Sequence, residues 1–326
     1  MKKFLTLLRP VPLLLFVSLL LLELLPLRML HMIFLVEPET GFWSRINASV
    51  YVFFALVGVV ILLPVVFSMI GKRSASLDFG RRERAAEGMA AWFFAAALVF
   101  DALAAFFYFN LILTGYARDE LVVATESNSP MQYYLKSGAV AALMEGLFGA
   151  AGAVFFVTLG IQDLFRKARM PLNRLLMLMP LFWTVCRLLR RFTRTISYVR
   201  VSDLFLDLLM LAALMIFFLA FAQVLGGIGG FRKEARLLGA GIPAAVLALV
   251  CFVPRFVLLL IGKGGALSQD APVEPCDLAA ALFILTFLYG RLRFAVATEM
   301  PDAAPGSAPV QGLAGEKTAP AADETP

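Results

Sequence analysis

The chain has one histidine, His31, and three cysteines, Cys186, Cys251 and Cys276, with no C-x-x-C among them. One imidazole and three scattered thiols do not make a zinc site or a disulfide framework. Cys186 and Cys251 fall inside apolar stretches and read as small packing residues. His31 lies near the end of such a stretch and reads as a solvated interfacial ring. There is no H-E-x-x-H, no G-x-S-x-G and no G-x-x-x-x-G-K-[ST]. Those absences argue against a metalloprotease, a His-assisted serine hydrolase and a P-loop nucleotidase. The pair Asp203-x-x-x-Asp207 lacks the dense acidic neighbours of a magnesium–diphosphate site. With no metal, nucleophile or cofactor motif, the reading leans away from an enzyme, although chemistry using Asp, Glu and Arg stays open.

Charge is scarce as well. Charged residues make up 16% of the chain and hydrophobic ones 61%, against about 25% and 45–50% in soluble domains. A soluble surface must stay wet, and this composition leaves too little polar surface for that. The mean hydropathy of +0.85 points the same way.

What the chain does have is eight long apolar runs, near Leu13–Leu35, Ala48–Ile70, Met89–Leu113, Gly138–Gly160, Leu175–Val199, Asp203–Leu225, Leu237–Gly262 and Leu278–Val296. A helix needs about 20 apolar residues to cross a hydrocarbon core of about 30 Å. Barrel strands would alternate apolar and polar residues instead. The expected fold is therefore all-α: a polytopic integral membrane bundle of about eight transmembrane helices, seven if 175–199 does not span. The transmembrane domain is expected over 1–299. Residues 300–326 turn to Ala, Pro and Gly and are expected to form a disordered tail.

The net charge of +6 comes from basic residues clustered in the connectors. That pattern orients helices in a bilayer and does not suggest nucleic acid as a partner. Lys72, Arg73, Arg81, Arg82 and Arg84 load one connector; Arg166, Lys167, Arg169 and Arg174 load another. Glu37–Asn47 holds only Arg45 as a basic residue. Alternation places the N-terminus in the cytoplasm of a cell-membrane protein. The first run resembles a secretory signal, but Glu23 interrupts it and no A-x-A site follows, so it is expected to be retained. The fifth run is ambiguous, because its purely apolar part ends at Cys186. Basic residues divide equally well in either topology. Its length favours spanning, with a kink at Pro180.

Arg187, Arg190, Arg191 and Arg194 follow at i, i+3, i+4 and i+7, on one face of a helix. An Arg at the centre of a bilayer costs about 2.5–3.5 kcal/mol on insertion scales. The stripe must snorkel or meet carboxylates inside the bundle. Asp203 and Asp207, Glu145, Asp101 and Glu23 are the candidate partners, and Arg255 follows Pro254 in the seventh run. In the eight-helix topology the stripe, Asp203, Asp207, Glu145 and Arg255 fall toward the outer leaflet.

Two readings follow. In one, Arg187, Arg190, Arg191, Arg194 and Arg255 bind a small anionic solute or an anionic lipid headgroup. Asp101, Glu145, Asp203 and Asp207 then serve as proton or counter-charge sites of a transporter or permease. In the other, the stripe lies at the interface on lipid headgroups and the acids only neutralise arginines, as in a scaffold or regulatory subunit. Ala142, Gly146 and Ala150 have small-xxx-small spacing, a face for close packing with a partner helix.

Overall fold

The computed structural model describes residues 10–37, 43–70, 81–114, 134–135, 137–165, 173–193, 201–227, 233–267 and 273–291. Residues 300–326 lie outside them. The described residues belong to one compact unit, Met1–Arg293.

Among the described residues the architecture is helical, with one isolated bridge between Val36 and Trp43. The first four helices are α1 Pro10–Phe34, α2 Ala48–Ile70, α3 Arg81–Leu113 and α4 Ala139–Phe165. A short α5, Arg174–Met177, precedes α6, Met179–Thr193. Then come α7 Val201–Leu225, α8 Lys233–Leu260 and α9 Pro275–Arg291. Six of them, α1–α4, α7 and α8, are long and apolar enough to cross a membrane. α9 is a shorter apolar helix. This is a polytopic helical membrane bundle.

Burial sets the arrangement. In α8, 72% of the membrane-length stretch is buried inside the bundle, against 33% in α1 and 28% in α2. Thus α8 is central, touching α1, α2, α7 and α9, while α1 and α2 lie outside. Most exposed side chains of α1, such as Leu19, Leu22 and Phe34, are apolar, as lipid requires. Glu23 is on the exposed surface of α1.

The fifth run differs from the single kinked helix expected of it. The chain breaks at Leu178 into α5 and α6. Asn173 caps α5, its side chain accepting from the Leu175 amide at 3.1 Å. Pro180 has no amide to continue the ladder, so it sits in the first turn of a new helix, where proline is tolerated. The two pieces still follow α7 lengthwise. Arg174, Met177 and Leu178 share a cleft with Leu219, Ala222 and Gly226 at one end of α7. Arg191 approaches Asp207 at the other end.

Among the described helices α3 and α4 make the most extensive contact. A Cβ on Gly160 would collide with the Trp92 indole and lie 2.9 Å from the Gly88 carbonyl oxygen. The two glycines mark a backbone-to-backbone crossing. Gly146 faces the Phe106 ring of α3, Ala142 is buried, and Ala150 is exposed.

Candidate functional site

Glu87 and Asp163 are buried where α3 begins and α4 ends; most of the charged residues buried inside the bundle gather at one level, toward the other end. This level holds the C-terminal halves of α1, α3, α6 and α8 and the N-terminal turns of α4, α7 and α9. Among the described residues it contains the guanidinium groups of Arg28, Arg187, Arg190, Arg191 and Arg255.

Arg187 is the most deeply enclosed of the stripe, only 1% exposed. One terminal nitrogen lies 2.7 Å from Asp277 Oδ1, and the other pairs with Glu274. Its guanidinium also sits over the Trp183 ring, 5.4 Å from the centroid. Arg190 Nε lies 2.9 Å from Glu145 Oε2, and Glu145 is 0% exposed. Arg191 donates to Glu274 Oε1 at 2.9 Å and stands 3.9 Å from Asp207. Arg255 donates to Asp207 Oδ1 at 2.9 Å. Asp101 accepts from Trp183 Nε1 at 2.7 Å.

The expected partners are brought in with some changes. Glu145 and Asp207 meet the stripe as anticipated. Asp203 pairs instead with Arg28, from the first helix. It shares a face with Asp207, but a helical turn of about 5.4 Å separates them along the axis, so they serve different neighbours. Glu23 faces outward and takes no part. Arg194 lies outside the described residues.

His31 is not solvated as expected. It is 1% exposed and packs edge-on between Trp43 and Phe53, at 5.2 and 5.5 Å between ring centroids. The bridge between Val36 and Trp43 folds Trp43 back over the ring.

Glu274 and Asp277 join the site without being among the expected partners. They belong to the stretch Glu274-Pro275-Cys276-Asp277 that opens α9. Proline at the first helical position and acid in the first turn mark a helix start. That signal was present, but it does not say that the acids face inward.

A cleft of about 240 Å³ opens into this layer. Its polar wall carries Asp101, Tyr108, Arg190, Arg191 and Glu274; Phe100, Ala104, Val273 and Pro275 supply apolar wall. The side chains of Arg190 and Arg191 are 15% and 9% exposed, so among the described stripe members they are the ones that an outside group can reach. Among the described residues no cluster of His, Cys, Asp and Glu is placed to hold a metal ion. Comparisons with protein-family models, curated proteins and solved structures find no match.

Proposed function

We propose that this membrane protein is permease-like and that its cleft binds an anionic group, from a small solute or a lipid headgroup, on Arg190 and Arg191. The observation that carries this is the cleft itself, a mostly apolar opening with two guanidinium groups and the acids Asp101 and Glu274 in its wall. Guanidinium forks match carboxylate and phosphate oxygens. Asp101 in the cleft wall and Glu145, buried against Arg190, supply counter-charge or a proton site. The basic connectors favour a cytoplasmic N-terminus in the cell membrane, with this layer toward the outer leaflet.

A second reading, a scaffold or regulatory subunit, has support too. Each of the five arginines of the layer meets a carboxylate. Such a network can hold helices together with no ligand at all.

Proteoliposomes on a solid-supported membrane separate the two. Concentration jumps of carboxylates and of inorganic phosphate should evoke charge movement in the wild type. The signal should vanish in Arg190→Ala combined with Glu145→Gln, a pair chosen so that no buried charge is orphaned. Silence to every anion, or an unchanged signal in the double variant, would sink the permease reading and leave the scaffold.

A further inference from the structure

We infer that the arginine cluster is a carboxylate site with a built-in occupant, Glu274, and that its external ligand is an organic carboxylate that takes this side chain's place. This rests on the anion-site reading above and names the ligand class.

One carboxylate serves three arginines. Glu274 Oε1 is 2.9 Å from Arg191 and 3.9 Å from Arg190, while Oε2 meets Arg187. Every one of these arginines also has an acid fixed on a helix. Arg187 has Asp277 on α9 at 2.7 Å, Arg190 has Glu145 on α4 at 2.9 Å, and Arg191 has Asp207 on α7 at 3.9 Å. Glu274 alone precedes its helix, at the cleft wall. If it swings out, no arginine loses its last partner. The cluster then lacks one planar, singly charged group, and that vacancy is reached from the cleft. Withdrawing any of the other three acids would leave an arginine dependent on Glu274.

The shape and charge of the vacancy choose the ligand. A carboxylate restores what left, atom for atom. A phosphate dianion would add an extra charge close to Asp101, Glu145 and Asp207. Beyond the head the walls are Phe100, Ala104, Val273 and Pro275, so the ligand carries an apolar body. The cleft, about 240 Å³, has room for roughly eight waters at about 30 Å³ each, hence for a small ring or a short chain. Two sources present this chemistry: a free organic acid and a fatty acid from the bilayer.

Calorimetry on the detergent-purified full chain tests it, with benzoate for the free acid, laurate for the fatty acid and inorganic phosphate as the contrast. Glu274→Ala should bind benzoate or laurate at least about ten-fold more tightly than the wild type, since the internal competitor is gone. Adding Arg191→Ala should erase the gain, and phosphate should gain less. Which acid gains identifies the source. Equal affinity in E274A and wild type, with wild-type binding lost in R191A, overturns the built-in occupant and leaves the anion site standing. A larger gain for phosphate overturns the carboxylate class. No binding of any probe to either protein overturns both readings. Glu274→Gln, which keeps a hydrogen-bonding head without the charge, decides by the same comparison if E274A does not fold.

Discussion

Asp207 and Arg255 show what holds the ionic layer together at the scale of a residue. Both are buried, with a 2.9 Å hydrogen bond between them. The pair need not stabilise the fold relative to apolar residues, but half of it is costly. Removing one partner of a buried pair leaves a bare charge and costs about 3–5 kcal/mol. Asp207→Leu or Arg255→Met alone should therefore lower unfolding stability by about that much. The double variant D207L/R255M should recover most of the loss, because Arg191 keeps Glu274 at 2.9 Å. Equilibrium unfolding in mixed micelles gives the cycle; simple additivity of the two losses would refute the pairing. The spacing of Arg187, Arg190 and Arg191 was legible because helix periodicity fixes a face. Their partners were only half legible. Glu145 and Asp207 interrupt apolar runs and so attract notice. Glu274 and Asp277 stand at the edge of a run, where a charge normally meets water. A linear sequence does not record that this helix start is tucked under three arginines.

At the scale of an element, the close approach of α3 and α4 depends on lost side chains. Gly160→Ala puts a Cβ against the Trp92 ring and 2.9 Å from the Gly88 carbonyl oxygen. The ring can turn, but the opposing backbone cannot yield without separating the helices. Overpacking of this kind costs about 1–3 kcal/mol. A melting temperature in detergent that stays at the wild-type value would contradict this crossing. Helix positions were otherwise plain in the sequence: Ala48–Ile70 is both an apolar run and a helix. Pro180 made an interruption of the fifth run legible, but not whether it is a kink or the break seen at Leu178, because composition continues smoothly across it. The Leu178 amide turns back to the carbonyls of Leu175 and Leu176 before Pro180 begins the next helix. Since α5 and α6 follow α7 from Ala222 to Asp207, cysteines placed at Asn173 and Thr193 should react with an impermeant maleimide from opposite sides of the membrane. The three native cysteines are buried and should stay silent. Labelling of both positions from the same side would show that this segment does not cross.

Among the described residues the interior of the bundle holds two unlike layers. Below the ionic one lies an aromatic one, where Phe156 meets Phe94 at 4.7 Å and Phe283 at 4.9 Å between ring centroids, with Phe218 and Phe221 beside them. On α4, Glu145 and Phe156 are 11 residues apart, and on α7 so are Asp207 and Phe218. At a rise of 1.5 Å per residue that is about 16 Å on α4 and α7, while on α9 Asp277 and Phe283 are six residues and about 9 Å apart. Lipid supplies no hydrophobic drive between helices, so the aromatic layer holds by fit and dispersion alone. The ionic layer contributes specificity, since each charge accepts few neighbours. Trp183 joins them: its ring lies 6.0 Å from Phe94, its indole N–H reaches Asp101, and its face lies under Arg187. This division predicts separable effects. Phe156→Ala should cost roughly 3 kcal/mol of stability through the cavity it leaves. In an E274A background it should leave carboxylate affinity unchanged, because Phe156 lies about 16 Å along α4 from Glu145 and lines no part of the cleft. Trp183→Phe, which keeps the ring packing and removes the donor to Asp101, should change affinity as well as stability. Melting curves and titrations on the same preparations give both readouts. An affinity loss in F156A as large as that in W183F would mean that the two layers move as one body.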